Sequence, residues 1–321
     1  MSVALNVFIQ VAIMFIIMAI GILCYKKKML SESVGAELSR FLMLVVNPCV
    51  ILHAFQIEYD PSLAKGLIIS ATLAFLSNII GVIIATLFIK KNPEKGEYIV
   101  ERFAIVFSNC GFMGIPLIQA VVGDIGVFYA STYVAVFNLF TWTYGVSLMK
   151  GKMNGRDILN VLKSAPIISI VIGLIIFLFS IKLPSVISQP INFLAAVNTP
   201  LAMIVTGIYL ARTSLADALK NIRIFAVSAL RLVAIPVVML VIFMFIKAEN
   251  ELFEALLIAN IIATACPTAS STLMMSRMYE KNAEYASMII TVSTVLSILT
   301  IPLIMLLFDK VSGIFPVIFL S

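Results

Sequence analysis

Charged side chains are scarce in this sequence. Only 12% of its 321 residues are Asp, Glu, Lys or Arg, whereas 62% are hydrophobic. Soluble domains usually carry about 25% charged residues, so the composition excludes that class and indicates a protein of the lipid bilayer. The net charge of +6 does not indicate a nucleic-acid partner, because the basic residues stand in short loops between apolar runs.

Residue types that support enzymatic or metal chemistry are also few. The chain has one histidine, His53, and four cysteines that lie inside apolar runs and form no CxxC pair. No metal ligand set and no nucleophile with a base can be read from them, so we expect no cofactor and no enzymatic activity. His53 is predicted to lie near an outer helix end without a partner. Four acidic residues are predicted to stand at span ends, which argues against a buried proton relay: Glu101, Asp124, Glu254 and Glu284.

Long apolar runs dominate what is present. Ten of them have about the 17 to 25 residues that a membrane-spanning helix needs, and the fold class predicted is an all-α polytopic membrane protein. Lys and Arg number 17 in the odd-numbered loops and 3 in the even-numbered loops, so the odd loops are predicted to be cytoplasmic and both termini extracytoplasmic. The predicted spans are 4–25, 35–56, 65–89, 102–120, 126–149, 163–181, 190–211, 223–246, 252–276 and 282–308.

Proline spacing indicates an internal repeat. Pro48 and Pro116 are 68 residues apart, and Pro200 and Pro267 are 67 apart. The text before the first proline of each pair also agrees, Val-Val-Asn-Pro against Val-Asn-Thr-Pro. Each half holds five spans, an odd number, so the second half enters the membrane from the opposite side. We therefore expect two inverted five-helix repeats, residues 1–149 and 157–321, joined by a short cytoplasmic linker at 150–156.

Two spans are interrupted by small polar residues together with glycine or proline. The fourth span contains Ser-Asn-Cys-Gly-Phe-Met-Gly-Ile-Pro at 108–116, and the ninth contains Thr-Ala-Cys-Pro-Thr-Ala-Ser-Ser-Thr at 264–272. A polar break at membrane depth is tolerated where protein or a water-filled cavity satisfies the freed backbone groups. Paired breaks in corresponding halves indicate a transporter's binding site. We expect helices 4 and 9 to be broken and to cross there.

The chemistry expected at this crossing is anion binding by backbone. Half-helix N-termini carry partial positive charge and free N–H groups, and they are predicted to begin near Gly114-Ile115-Pro116 and near Pro267-Thr268. Thr268, Ser271 and Thr272 are predicted to share a helical face, and the asparagines could supply amide groups. The alternative is that these residues only allow close helix packing. The candidate site residues are Asn109, Cys110, Gly111, Gly114, Pro116, Asn138, Pro267, Thr268 and Ser271.

Arg231 is the one charged residue well inside a predicted span. An ionisable group at that depth is a candidate functional residue, because leaving it in lipid is costly. Three roles are open: a counter-charge for an anionic substrate, a structural donor to the carbonyl ends of a broken helix, or a side chain that snorkels to the interface.

These motifs resemble the auxin efflux carrier family, which includes plant PIN carriers and bacterial permeases for malate and related organic acids. The similarity covers essentially the whole chain and is most specific at the two crossing motifs. Further matching text is Val-Phe-Asn-Leu at 136–139, Trp-Thr-Tyr-Gly at 142–145, Arg-Leu-Val-Ala-Ile-Pro at 231–236, and Pro-Thr-Ala at 267–269 followed by Tyr279 and Ala-Glu-Tyr-Ala-Ser at 283–287.

The resemblance implies a secondary transporter of the cytoplasmic membrane that moves a small organic anion by an elevator-like mechanism. Helices 1, 2, 6 and 7 would form a scaffold, helices 3–5 and 8–10 a moving transport domain, and the protein would be a homodimer. The implied site is Asn109, Pro116, Asn138 and Pro267. The short loop from Lys150 to Arg156, where plant members have a long one, favours a malate-like mono- or dicarboxylate over auxin. The alternative is a sodium-coupled symporter of larger anions of the bile acid type, and either sodium or a proton could be the coupling ion.

Overall fold

Helices account for nearly all of the chain that the structure describes. A computed structural model describes residues 3–91, 96–151, 163–246 and 250–314. Seven helices in this part are long and apolar enough to cross a membrane, so the chain is an all-α polytopic membrane protein. The helices are α1 Val3–Lys26, α2 Glu32–Ala54, α3 Pro61–Phe88, α4 Glu97–Val106, α5 Cys110–Val122, α6 Asp124–Lys150, α7 Ala165–Leu178, α8 Ser185–Arg212, α9 Leu215–Lys220, α10 Ile222–Phe243, α11 Glu251–Ala265, α12 Ser271–Met278 and α13 Ala283–Ile314.

The ten predicted spans all fall on helices, but not all of them on single long ones. The fourth span is divided into α4 and α5, the ninth into α11 and α12, and the sixth corresponds to the 14-residue helix α7. The fourth also begins earlier than predicted, at Glu97 rather than residue 102, because Gly96 in a left-handed conformation starts the helix there.

Three prolines inside membrane helices follow a π-helical turn. The turns cover Leu42–Val46, Cys110–Gly114 and Leu230–Ala234, and the dipeptides Asn47-Pro48, Ile115-Pro116 and Ile235-Pro236 come directly after them. A proline ring has no N–H to donate and would clash with the preceding turn of an α-helix. The wider i to i+5 turn accommodates the ring, so each helix continues through its proline.

The first helix packs closely against the second half of α8. A Cβ atom added to Gly207 would meet the carbonyl oxygen of Met18, and one added to Gly21 would meet the carbonyl oxygen of Ile204. Because both obstacles are backbone atoms, glycine is needed at both positions. Small residues that let two backbones approach are the usual basis of helix pairing in membranes.

The helix bundle has two opposite faces, where the helices begin and end. One end, called the N-terminal face below, carries Val3, His53 and the joint between α5 and α6, where His53 contacts Asp124. The opposite face carries Glu32 at the start of α2, and both Arg212 of α8 and Arg277 of α12 contact its carboxylate. Helix α2 therefore has a polar side-chain contact at each end, and the contact at Glu32 is an ion pair.

Candidate functional site

The two interrupted spans meet at their interruptions. Ser108 and Thr268 face each other as an antiparallel bridge. The Asn109 N–H donates to the carbonyl oxygen of Pro267 at 2.7 Å, and the Ala269 N–H donates to the carbonyl oxygen of Phe107 at 2.9 Å. Two extended segments thus satisfy each other's backbone groups in the protein interior.

Arg231 lies beside this bridge and caps the C-terminal ends of two helices. Its side chain is 1% exposed, and Nη1 donates to the carbonyl oxygens of Ile105 at 2.9 Å and Val106 at 3.1 Å, at the end of α4. Nη2 donates to the carbonyl oxygen of Thr264, at the end of α11. Carbonyl groups at a helix C-terminus lack intrahelical partners and carry partial negative charge. One guanidinium group therefore satisfies the C-terminal ends of both broken helices.

Asn109 is the buried amide of the crossing. The residue is 5% exposed, and its carbonyl oxygen accepts from the N–H groups of Met113 at 3.1 Å and Gly114 at 3.0 Å, which holds the start of α5. Its side-chain Nδ2 is buried and has no hydrogen-bond partner among the described residues. A buried amide donor without an acceptor is unusual in a folded protein, so Asn109 is a candidate donor to a ligand.

The remaining candidates on α5 pack closely around the crossing. A Cβ atom on Gly114 would lie 3.4 Å from Sγ of Cys266 and 3.5 Å from Cβ of Cys110, so the two buried cysteines approach each other across this glycine. A Cβ atom on Gly111 would have only Nδ2 of Asn47 within 4 Å, at 3.9 Å. Gly111 therefore leaves space in front of α2.

Two half-helices begin at residues other than those predicted. Helix α5 begins at Cys110 and not near Gly114-Ile115-Pro116, because the π-helical turn carries the helix through its proline. Helix α12 begins at Ser271 and not near Pro267-Thr268, because residues 267–269 are occupied by the bridge to the other interruption.

The predicted helical face of hydroxyl groups is also wrong. Thr268 precedes α12, so it does not share a helical face with Ser271 and Thr272. Its hydroxyl donates to the carbonyl oxygen of Ala104 at 3.1 Å, and its N–H donates to Oγ of Ser293 at 3.2 Å. The Ser271 Oγ and Thr272 Oγ1 atoms are buried without a partner among the described residues.

Asn138 lies on α6 next to the ring that contacts the crossing. The neighbouring Phe137 packs edge-on against Phe107, with ring centroids 5.6 Å apart. The Asn138 Nδ2 atom donates to the carbonyl oxygen of Val134 at 2.8 Å. The structure thus brings this part of α6 to the crossing, but the Asn138 amide group donates within its own helix.

Sequence reasoning missed two asparagines, Asn47 of α2 and Asn198 of α8. They are 7% and 3% exposed, and Oδ1 of each has no hydrogen-bond partner in the part of the chain that the structure describes. Both stand just before a repeat proline, in the two matching text segments. That match contained the signal for them, since it places an asparagine at corresponding positions of the two halves.

A ladder of polar side chains joins α3, α6 and α11 behind the crossing. Asn260 donates to Oγ of Ser70 at 2.8 Å, and Ser70 donates to the carbonyl oxygen of Tyr129 at 2.9 Å. Farther along the same helices, the hydroxyl groups of Ser77 and Tyr133 are 3.1 Å apart. The Ser77 hydroxyl also lies 3.2 Å from that of Thr264, and the Thr264 carbonyl oxygen accepts from Arg231. Such interhelical hydrogen bonds fix the relative position of helices inside a membrane protein.

Two titratable residues have partners that the sequence did not reveal. Glu101 stands one turn from the start of α4, as predicted, and is fully buried there, where its carboxylate accepts from Arg223 Nη2 at 2.8 Å and from the Tyr285 hydroxyl at 2.8 Å. His53 does have a partner, since its Nε2 lies 3.5 Å from Oδ1 of Asp124, a residue that the turn between α5 and α6 brings beside α2. Among the described residues no group of three or more His, Cys, Asp or Glu could hold a metal ion.

Comparison with known proteins agrees with the membrane architecture. The sequence profile of a family described as membrane transport protein matches residues 6–305. An uncharacterized transporter of Methanocaldococcus jannaschii is 25% identical over 281 residues, which cover 81% of this chain and 87% of that protein. An uncharacterized transporter of Methanothermobacter thermautotrophicus is 24% identical over 309 residues, 93% of this chain and 95% of that protein.

Proposed function

The chain belongs to the membrane transport protein family and is a membrane transporter rather than an enzyme, and from this premise we propose that it carries small organic anions. The proposed substrate is a malate-like mono- or dicarboxylate, and the proposed site is the crossing of the two interrupted spans.

The observation that carries this proposal is the unpaired amide of Asn109. Its Nδ2 atom is a donor, and a carboxylate is an acceptor of the kind that such a donor lacks. Asn109 also stands immediately before α5, whose first N–H groups have no intrahelical partners and carry partial positive charge. Donors from side chain and backbone therefore lie next to each other at a place where Arg231 is already committed to carbonyl groups.

The packing of the helices supports an inverted repeat of five spans in each half. The first span of each half packs on the second span of the other half: α1 packs on α8, and α7 packs on α2. The third and fifth spans of each half pack on each other, α3 on α6 and α10 on α13. The fifth span of each half packs on the fourth span of the other half, α6 on α11 and α13 on α4. Exchange of the two halves reproduces these contacts, as an inverted-repeat transporter requires.

An elevator-like movement is the mechanism that this packing favours. In this mechanism, α1, α2, α7 and α8 form the scaffold, and the other long helices move as one body. The polar ladder, the bridge and Arg231 tie that body together internally. Two of its side-chain contacts with the scaffold stand at the ends of α2, His53 with Asp124 on one face and Arg277 with Glu32 on the other. Partly exposed pairs of this kind are weak enough to break in each cycle.

Replacement of Asn109 by alanine tests the site. We expect the exchange of labelled succinate or malate across proteoliposomes to lose about tenfold in transport efficiency, since a hydrogen bond to a charged group contributes roughly 1.5–3 kcal/mol. Asn78→Ala is the control, because that buried amide donates to a carbonyl within its own helix, at 2.8 Å. Wild-type rates in a folded Asn109→Ala protein would refute the assignment. Uptake that requires a sodium gradient would favour the sodium-coupled alternative.

Replacement of Arg277 by glutamine tests the movement. This change removes the 3.4 Å pair with Glu32 and leaves the 2.5 Å pair between Arg212 and Glu32 in place. Because the pair is half exposed, we expect a change of at most about fivefold in the exchange rate, with the melting temperature unchanged. Lys27→Gln, an exposed substitution on the same face, should leave the rate unaltered. A lowered melting temperature with an unchanged rate would mean that the pair serves folding instead.

A further inference from the structure

A cavity of about 240 Å³ lies between α2, α5 and α8, on the N-terminal face of the crossing. Its polar wall consists of His53 from α2, Gln119 from α5, and Asn192, Asn198 and Thr199 from α8. At about 30 Å³ for each water molecule, this volume holds roughly eight waters. It is below the range of about 300–1,000 Å³ that is typical of pockets for drug-sized ligands, so it suits a small metabolite.

The chemistry of the wall points to a carboxylate. Three of its polar side chains are amides, one is an imidazole and one carries a hydroxyl group, whereas no Asp, Glu, Lys or Arg lines the cavity among the described residues. Asp124 stands at the rim, where Gln119 Nε2 donates to its Oδ1 at 2.9 Å and His53 Nε2 lies 3.5 Å from the same atom. The rim carboxylate thus holds two wall residues in position, and Asn192 and Asn198 of α8 line the ligand space with amide groups.

Asn198 places a second chemical requirement on the ligand. It is 3% exposed, it lines the cavity, and its Oδ1 atom has no donor among the described residues. Buried amide oxygens are normally paired with a protein group, an ordered water or a ligand. A plain carboxylate offers only acceptors and leaves this oxygen unpaired. A ligand that satisfies Asn198 must carry a donor of its own.

We propose that this cavity is an entry subsite for carboxylates that carry a hydroxyl or ammonium group beside the acid. The amide of Asn192 binds the carboxylate, and Asn198 Oδ1 accepts from the ligand's own donor. Val50 also lines the cavity and stands one helical turn beyond Asn47, the side chain that faces Gly111 at the crossing. A ligand here is therefore one turn away from the central site. The inference rests on the proposed function and adds to it a second site and a substrate class.

Three probes with the same four-carbon diacid skeleton test the proposal: succinate has no donor, malate has a hydroxyl group, and aspartate has an ammonium group. Each competes for uptake of labelled malate and labelled succinate into proteoliposomes. We expect malate or aspartate to be preferred over succinate by the wild type. In Asn198→Ala, affinity for the preferred probe should fall about tenfold while affinity for succinate stays within about twofold, as loss of a single hydrogen bond predicts.

Succinate is the internal control for folding. Which probes lose affinity in Asn198→Ala distinguishes a binding role of this residue from a structural one. An equal loss for all three probes would overturn the proposal, because it would give Asn198 a structural role. An absence of preference in the wild type would also overturn it, because water alone would then satisfy Asn198. If the wild type carries none of the three, the proposed function fails as well. If Asn109→Ala abolishes transport while Asn198→Ala changes nothing, only the entry subsite is refuted.

A second variant tests the cavity without touching a polar group. Ala195 lines the cavity, and Ala195→Phe fills it, so uptake entering from the N-terminal face should fall at least about tenfold while efflux in the other direction keeps its substrate affinity. Val197→Phe is the matched control, because Val197 is 40% exposed and is not part of the wall. Normal entry through Ala195→Phe, with the protein folded, would overturn the proposal.

Discussion

Replacement of Arg231 by methionine is expected to prevent the protein from accumulating in a folded state. The change leaves three buried carbonyl oxygens, of Ile105, Val106 and Thr264, without their donor. Each unsatisfied buried group costs about 1–3 kcal/mol, so the combined loss is comparable with the roughly 5–15 kcal/mol by which folded proteins are stable. The measurement is the yield of monodisperse protein after extraction in mild detergent, followed by the melting temperature of what remains.

Two further variants separate the possible roles of Arg231. Arg40→Met removes an exposed arginine from α2 and should leave yield and melting temperature unchanged. Arg231→Lys keeps the positive charge but cannot reach three carbonyl oxygens with a planar fork, so it should be destabilised as well. If Arg231→Lys were stable and only its affinity for organic anions were altered, the residue would act as a counter-charge, and its structural role would be refuted.

Replacement of Gly207 by leucine is expected to separate α1 from α8. A Cβ atom at this position already meets the carbonyl oxygen of Met18, and a Cβ atom at Gly21 meets that of Ile204, so no side-chain rotation relieves the overlap. Overpacking in a tight core usually costs about 1–3 kcal/mol, and a backbone obstacle places this substitution at or above the upper end. We expect loss of most folded protein, measured by size-exclusion chromatography with a fluorescent fusion.

A control on the other side of α1 checks that the effect comes from the interface. Ala19 is exposed, so Ala19→Val adds bulk to the same helix without meeting α8, and the yield should stay at the wild-type level. Gly207→Ala should be intermediate. Equal yields for Gly207→Leu and Ala19→Val would show that α1 and α8 can separate without loss of the fold.

The sequence predicted where the membrane helices are interrupted but not how the interruptions are built. Glycine, proline and small polar residues stand out in an apolar run, so the breaks at 107–109 and 266–270 could be located from composition. The bridge between Ser108 and Thr268 could not, because it joins residues 160 positions apart and depends on the meeting of two helix ends. For the same reason, the start of α12 was placed too early in the chain.

Polar partners were the least predictable part of the site. The depth of Arg231 could be read from its place inside an apolar run, whereas its three acceptors lie on two other helices. The burial of Glu101 could not be predicted, because neither Arg223 nor Tyr285 is near it in the chain. Asn47 and Asn198 were visible in the repeated text, but what distinguishes them is an unpaired oxygen, which only packing can reveal.

The π-helical turns before Pro48, Pro116 and Pro236 alter how mutations in these helices should be interpreted. Each turn holds one residue more than an α-helical turn, so all side chains after it are rotated by about 100° relative to an uninterrupted α-helix. A helical wheel drawn through α2 as one cylinder therefore assigns the 8 residues of Asn47–Ala54 to the wrong surface. Deletion of a single residue from Leu42–Val46 would convert the turn to α geometry and swing His53 away from Asp124, whereas Glu32 would stay in place.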